Sequence, residues 1–132
     1  MQVGTALLNG SVLIVDDDIR VLEEMTDALH DYGLTVHTAS NQIMAMKLAS
    51  EHCPEFIIMD HFLRGYTGLE SVNDIHKFLP ETRVIMISGF EDLFNIVRTK
   101  EGVSSCVIAV LKKPLPMESI GRFISKQLDQ LH

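Results

Sequence analysis

Ser11-Val-Leu-Ile-Val-Asp-Asp-Asp18 reads SVLIVDDD, an apolar run that stops at three consecutive aspartates. A run rich in Val and Ile, with no polar alternation, suits a strand covered on both faces, as inside a parallel sheet. Like charges at its end repel one another, so the strand must finish at a rim where water or a cation receives them. The apolar pattern returns along the chain. Val12 to Val15, Leu34 to Thr38, Phe56 to Met59, Val84 to Ile87 and Val107 to Leu111 are the strand candidates.

Between these runs, apolar residues fall three and four apart, the spacing of one helix face. The first helix carries Val21, Leu22, Met25, Ala28, Leu29 and Tyr32, and Gly33 supplies its stop. A second begins after Ser40, carries Ile43, Met46 and Ala49, and ends near Cys53-Pro54. A third holds Leu69, Val72, Ile75 and Leu79 and stops before Pro80. A fourth holds Leu93, Ile96 and Val97 and ends at Gly102, and a fifth carries Ile120, Phe123, Ile124, Leu128 and Leu131. Strict alternation with short connections predicts a doubly wound α/β sheet of five parallel strands, because parallel neighbours require a crossover.

At 132 residues, 46% of them hydrophobic, the chain has the size of a single domain with a full core. The expected boundaries are residues 1–132, with 1–10 as a flexible N-terminal extension. Eleven basic residues against 18 acidic ones give a net charge of −7, which opposes direct nucleic acid binding and anionic membranes. Cys53 and Cys106 form no CxxC motif and no disulfide framework, so they read as core thiols in a reducing, cytoplasmic setting. No segment approaches the roughly 18 apolar residues of a membrane span.

In doubly wound sheets, ligands bind beyond the carboxyl ends of the strands. The residues there are Asp16 and Asp17 after the first strand, Asp60 after the third, Ser88 after the fourth and Lys113 after the fifth. Crowded carboxylates favour a shared cation, and an all-oxygen set with phosphate as co-ligand favours Mg²⁺. No His or Cys stands at zinc-type spacing. A carboxylate, a hydroxyl and an ammonium around a hard ion are the parts of a phosphoryl-transfer centre, in which Asp itself can be the nucleophile.

At these residues the chain resembles the receiver domains of two-component response regulators, over nearly its whole length. VLIVDDD, FIIMD, VIMISG and LKKPL stand in the order of that family's acidic pair, phosphoacceptor, switch hydroxyl and lysine-proline motifs. The resemblance implies a (βα)5 flavodoxin-like fold with strand order 2-1-3-4-5. It implies that Asp16 and Asp17 bind Mg²⁺, with Mn²⁺ able to substitute, and that Asp60 and the backbone carbonyl of Phe62 complete the metal shell. Asp60 would accept a phosphoryl group from a histidine kinase or histidine phosphotransfer protein, and Ser88 and Lys113 would bind its oxygens. Such a domain changes its binding to an output domain or target protein and is not a turnover enzyme; its chemistry is self-catalysed phosphoryl transfer and slow autodephosphorylation.

Other roles suit the neighbouring residues. Asp18 reads as a helix N-cap, Lys112 as solvated, His61 as a half-exposed loop residue and the seven Met as core filler. The chain departs from the family pattern at Arg64, where Pro is usual, at Thr67-Gly68, where an acidic residue precedes the Gly, and at Val110, where an aromatic switch residue is usual. Phe62 and Phe90 stand two residues beyond the phosphoacceptor and the switch hydroxyl, which predicts slow hydrolysis of the acyl phosphate by hindering water. Val110 and Arg64 leave a phosphorylation-independent scaffold as the second reading. An aspartyl-phosphate phosphohydrolase ranks last, because Phe62 occupies the position of its second Asp.

Overall fold

The computed structural model describes residues 10–63, 66–88, 106–112 and 117–131. The expected fourth helix, Arg64, Phe90, Lys113 and residues 1–9 lie outside the described residues. Gly10, the last residue of the expected extension, is buried and accepts a hydrogen bond at its carbonyl from the Thr35 amide at 2.9 Å.

All five strand candidates form strands, each within a residue or two of its expected bounds. They are β1 (Ser11–Val15), β2 (Thr35–Ala39), β3 (Phe56–Asp60), β6 (Arg83–Ser88) and β7 (Val107–Lys112). A two-residue ribbon, β4 (Phe62–Leu63) with β5 (Tyr66–Thr67), follows β3 and was not foreseen. The described helices are α1 (Ile19–His30), α2 (Gln42–His52), α3 (Gly68–Phe78) and α4 (Met117–Leu131). The large sheet is parallel throughout, in the order β2-β1-β3-β6-β7. Counting only its own strands, that is the expected 2-1-3-4-5.

Alternation along the strands divides the core into two layers. Leu13, Val15, Ile57, Met59, Val84 and Met86 belong to a cluster with residues of α2 and α3. Val12, Ile14, Phe56, Ile58, Ile85 and Ile87 belong to the opposite cluster, with residues of α1 and α4. Every residue of β3 is buried, as its unbroken apolar run implied.

The caps follow local chemistry. Asp18 is the N-cap of α1 and its carboxylate accepts from the Arg20 amide at 3.0 Å, as the sequence suggested. Gly33, just past that helix, has φ 77°, a conformation that costs glycine least. Asn41 caps α2, accepting from the Met44 amide at 2.8 Å.

Two expectations about α2 fail. Ile43 does not face the core but is 81% exposed, and the buried stripe runs through Ala45 and Ala49. Small residues let the helix axis approach the sheet closely, so alanines take the inner face and a bulkier residue can turn outward. Cys53 is not a core thiol: it is exposed at the C-cap of α2 with φ 44°. Cys106 is buried, and burial raises its thiol above the usual pKa.

β7 carries a bulge. Val84 pairs with Val107, yet Ile85 pairs with Ala109, so Ile108 is the extra residue and is 37% exposed. The shift sets Lys112 opposite Ser88 at the carboxyl end of the sheet. No helix among the described residues is long and apolar enough to cross a membrane.

Candidate metal centre

The site begins with strand register. Val15 pairs with Met59, so Asp16 and Asp60, each the next residue, arrive side by side at one rim. One carboxylate oxygen from each of Asp16, Asp17 and Asp60 lies within 4.8 Å of the other two. Asp16 and Asp60 are buried and Asp17 is exposed. Two full charges 4.8 Å apart repel by about 3.5 kcal/mol at an effective dielectric of about 20. A hard divalent ion removes that repulsion, and the donors offered here are all oxygen, with no nitrogen or sulfur in the cluster.

Hydrogen bonds hold the first aspartates in place. The Asp16 amide donates to the Ala39 carbonyl at 3.1 Å, extending the pairing of β1 with β2 by one step. Asp16 Oδ1 accepts from the Asp18 amide at 2.9 Å, which fixes the turn into α1. Asp18 therefore serves the helix while its two neighbours serve the cluster. Its 3.8 Å contact with exposed Arg20 adds little, since exposed ion pairs are worth under about 1 kcal/mol.

Asp60 ends β3 opposite Ile87, and Ser88, the next residue of β6, is buried at the same rim. The His61 amide donates to the Ile87 carbonyl at 3.0 Å, continuing the ladder past the aspartate. The chain then enters the β4–β5 ribbon, in which Phe62 pairs with Thr67. Beyond the ribbon, the Gly68 amide donates to the His61 carbonyl at 2.6 Å, so α3 starts hard against the aspartate's backbone. A Cβ at Gly68 would stand 2.7 Å from the Asp60 carbonyl oxygen.

The structure thus brings Asp16, Asp17 and Asp60 together and sets Ser88 one strand away. Phe62 is described only as part of the ribbon backbone, and Lys113 lies outside the described residues. Lys112 is exposed, as expected of the lysine that faces solvent.

One residue near the site differs from its sequence reading. His61 is not half-exposed but buried at 6% exposure, and its amide and carbonyl are both tied into the junction between β6 and α3. Burial lowers its pKa, and the neighbouring Asp60 opposes the shift. Thr67 is the N-cap of α3, accepting from the Glu70 amide at 3.2 Å. The T-x-x-E spacing of Thr67 and Glu70 was the available signal for this cap.

Comparison with known proteins agrees with this geometry. A model of the response regulator receiver domain matches residues 12–125. The transcriptional regulatory protein HptR of Staphylococcus aureus (strain N315) is 27% identical over 126 residues, covering 89% of this chain and 48% of HptR. The chain therefore spans about half the length of that relative. Sporulation initiation phosphotransferase F of Bacillus subtilis (strain 168) is 22% identical over 122 residues, covering 92% of this chain and 96% of that protein. The crystal structure of a CheY-like receiver domain protein from Methanospirillum hungatei JF-1 superposes with a TM-score of 0.82 at 24% identity, covering 92% of this chain and 95% of that one.

Proposed function

The chain belongs to the response regulator receiver family, and from that premise we propose that it is a phosphorylation-controlled switch whose phosphoacceptor is Asp60. The observation that carries this reading is the convergence of the Asp16, Asp17 and Asp60 carboxylates at the carboxyl rim of β1 and β3.

In the proposed reaction a carboxylate oxygen of Asp60 attacks the phosphorus of a phosphohistidine on a kinase or phosphotransfer protein. The new oxygen–phosphorus bond forms as the phosphorus–nitrogen bond breaks, and the imidazole leaves with the electron pair. Mg²⁺, held by Asp16, Asp17, Asp60 and the Phe62 carbonyl, would supply neutralisation of phosphoryl charge, with Mn²⁺ able to replace it. The Ser88 hydroxyl donates to a phosphoryl oxygen, and Lys113 supplies a positive charge to another. Burial of Asp60 and Ser88 limits competing water. The chain modifies itself once per signal and turns over no metabolite. The proposal places it in the cytoplasm, with an output domain or separate target protein as the reader of its state.

Incubation with Mg²⁺ and acetyl phosphate, followed by intact mass, tests the reading. A single phosphoryl adduct on the native chain, absent from Asp60→Asn, is expected. No adduct on the native chain would favour a scaffold that acts without phosphorylation.

A further inference from the structure

Among the described residues five large apolar side chains are exposed, and three of them gather at one corner: Ile19 at 62%, Ile43 at 81% and Met44 at 42%. Ile19 opens α1, and the other two lie in the first turn of α2. Ile19 and Met44 line a single groove of about 590 Å³ that also takes in Glu23, Thr26, Asp27 and Thr38. We propose that this groove docks an amphipathic helix of a partner protein, aliphatic on one face and flanked by Lys or Arg.

The walls are fixed in advance, which spares a partner the cost of ordering them. Asp18 caps α1, and Asn41 caps α2 by accepting from the Met44 amide at 2.8 Å. Thr38 is held in β2, paired with Ile14 of β1. Helix α1 packs on one face of the sheet and α2 on the other, so the groove wraps over β2, the edge strand. Ile19, Glu23 and Asp27 recur every fourth residue along α1. That ridge is about 12 Å long at 1.5 Å per residue, enough for about two turns of a second helix.

Charge selects the occupant. Glu23 and Asp27 line the groove and are exposed, and no lysine or arginine among the described residues joins them there. Arg20, the sole Lys or Arg of α1, lies 3.8 Å from Asp18 instead. The Thr26 hydroxyl already donates to the Leu22 carbonyl at 2.7 Å, which leaves its oxygen as a further acceptor. Acceptors without matching donors fit ammonium or guanidinium groups. The amino ends of α1 and α2 carry partial positive charge, so the bases belong beside Glu23 and Asp27 and the aliphatic residues beside Ile19 and Met44. A second copy docking by this same face would set carboxylate against carboxylate, and an anionic membrane would meet the same repulsion.

The other two exposed side chains, Phe78 and Ile108, line a separate cleft at the amino end of the strands. There Arg83 stands with Glu55 and Glu81, so charge favours no one ligand. The described lining of the α1–α2 groove contains none of Asp16, Asp17, Asp60 or Ser88, and docking there is independent of phosphoryl acceptance.

The probe is a synthetic helical peptide of roughly 14 residues, with Leu along one face and Lys flanking it. It is titrated into the full ¹⁵N-labelled chain at about 0.15 M salt, where distant charges are screened. Saturable amide shifts centred on residues 19–27, 38–40 and 43–44 are expected. Glu23→Lys and Met44→Asp should each weaken binding by at least about tenfold. Asp129→Lys makes the same charge change as Glu23→Lys, but on exposed α4, and should alter affinity by less than about twofold. A peptide with Glu in place of Lys should not bind. All three substituted residues are exposed, so each variant keeps its fold, as circular dichroism would verify. No saturable binding, shifts centred elsewhere, native affinity in both groove variants, an equal loss in Asp129→Lys, or equal binding of the Glu peptide would each overturn the proposal.

Discussion

Replacing Gly68 by Ala tests how closely the phosphoacceptor's position depends on the packing behind it. The added Cβ would meet the Asp60 carbonyl oxygen at 2.7 Å, the Met86 methyl at 2.7 Å and the His61 Cα at 3.0 Å. A carbon and a carbonyl oxygen settle no closer than about 3.3 Å, so a gap of about 0.6 Å must open. The Met86 methyl ends a flexible side chain and can yield. The Asp60 oxygen is backbone at the end of a fully buried central strand and cannot move alone. Relief must come from α3, through the 2.6 Å hydrogen bond between Gly68 and His61. Overpacking of this kind costs about 1–3 kcal/mol. Alanine in place of a helical glycine returns at most about 1 kcal/mol.

At mid-range the clash therefore wins, with a net loss of about 1 kcal/mol, read as a lower urea midpoint at unchanged slope. A misplacement of about 1 Å can cost about a hundredfold in rate, so a shift of roughly half that should slow adduct formation by about tenfold. Both are measurable on one preparation, by urea titration and by the initial rate with acetyl phosphate and Mg²⁺. An equal or higher midpoint together with a native rate would show that α3 does not set the aspartate, and the reasoning would fail.

Other perturbations separate further terms. Thr82 is buried and its hydroxyl donates to the Pro54 carbonyl at 2.9 Å, so Thr82→Val should cost about 1–3 kcal/mol while Thr82→Ser costs less. A valine variant with the native melting temperature would show this bond to be negligible. Phe62→Asn should shorten the half-life of the phosphorylated state, measured by loss of the adduct after acetyl phosphate is removed, and an equal or longer half-life would refute the role given to Phe62. Burial and the charge of His52 lower the pKa of His37 from 6.5, so the unfolded chain takes up this proton at higher pH than the folded one. The associated stability is complete above 6.5 and is lost as pH falls through the folded value. In metal-free buffer His37→Asn should flatten the acid side of the stability profile, and an unchanged slope would sink the assignment.

Much of the fold was legible because strand burial is written in local pattern. β1, β3 and β6 are apolar without interruption, and a strand covered on both faces has no other way to be encoded. Their charged or hydroxyl-bearing ends then located the rim. Helix α2 was read less well: its mixture of Ile, Met and Ala suits more than one face, and only contact with the sheet selects the alanine stripe. His61 was read as half-exposed because its burial is decided by packing where β3 meets β6, whose Ile87 lies far off in the chain.

By itself, then, the sequence determined the alternation of strands and helices, the caps at Asp18 and Gly33, and which carboxylates stand at strand ends, since each depends on neighbours within a turn or a strand. The tertiary structure decided what depends on register between distant segments. It set Asp16 beside Asp60, introduced the bulge at Ile108 that places Lys112 opposite Ser88, and stacked His37 on His52. Pairing between strands and packing of helices are long-range choices made by the whole core at once, and no single stretch of chain contains them.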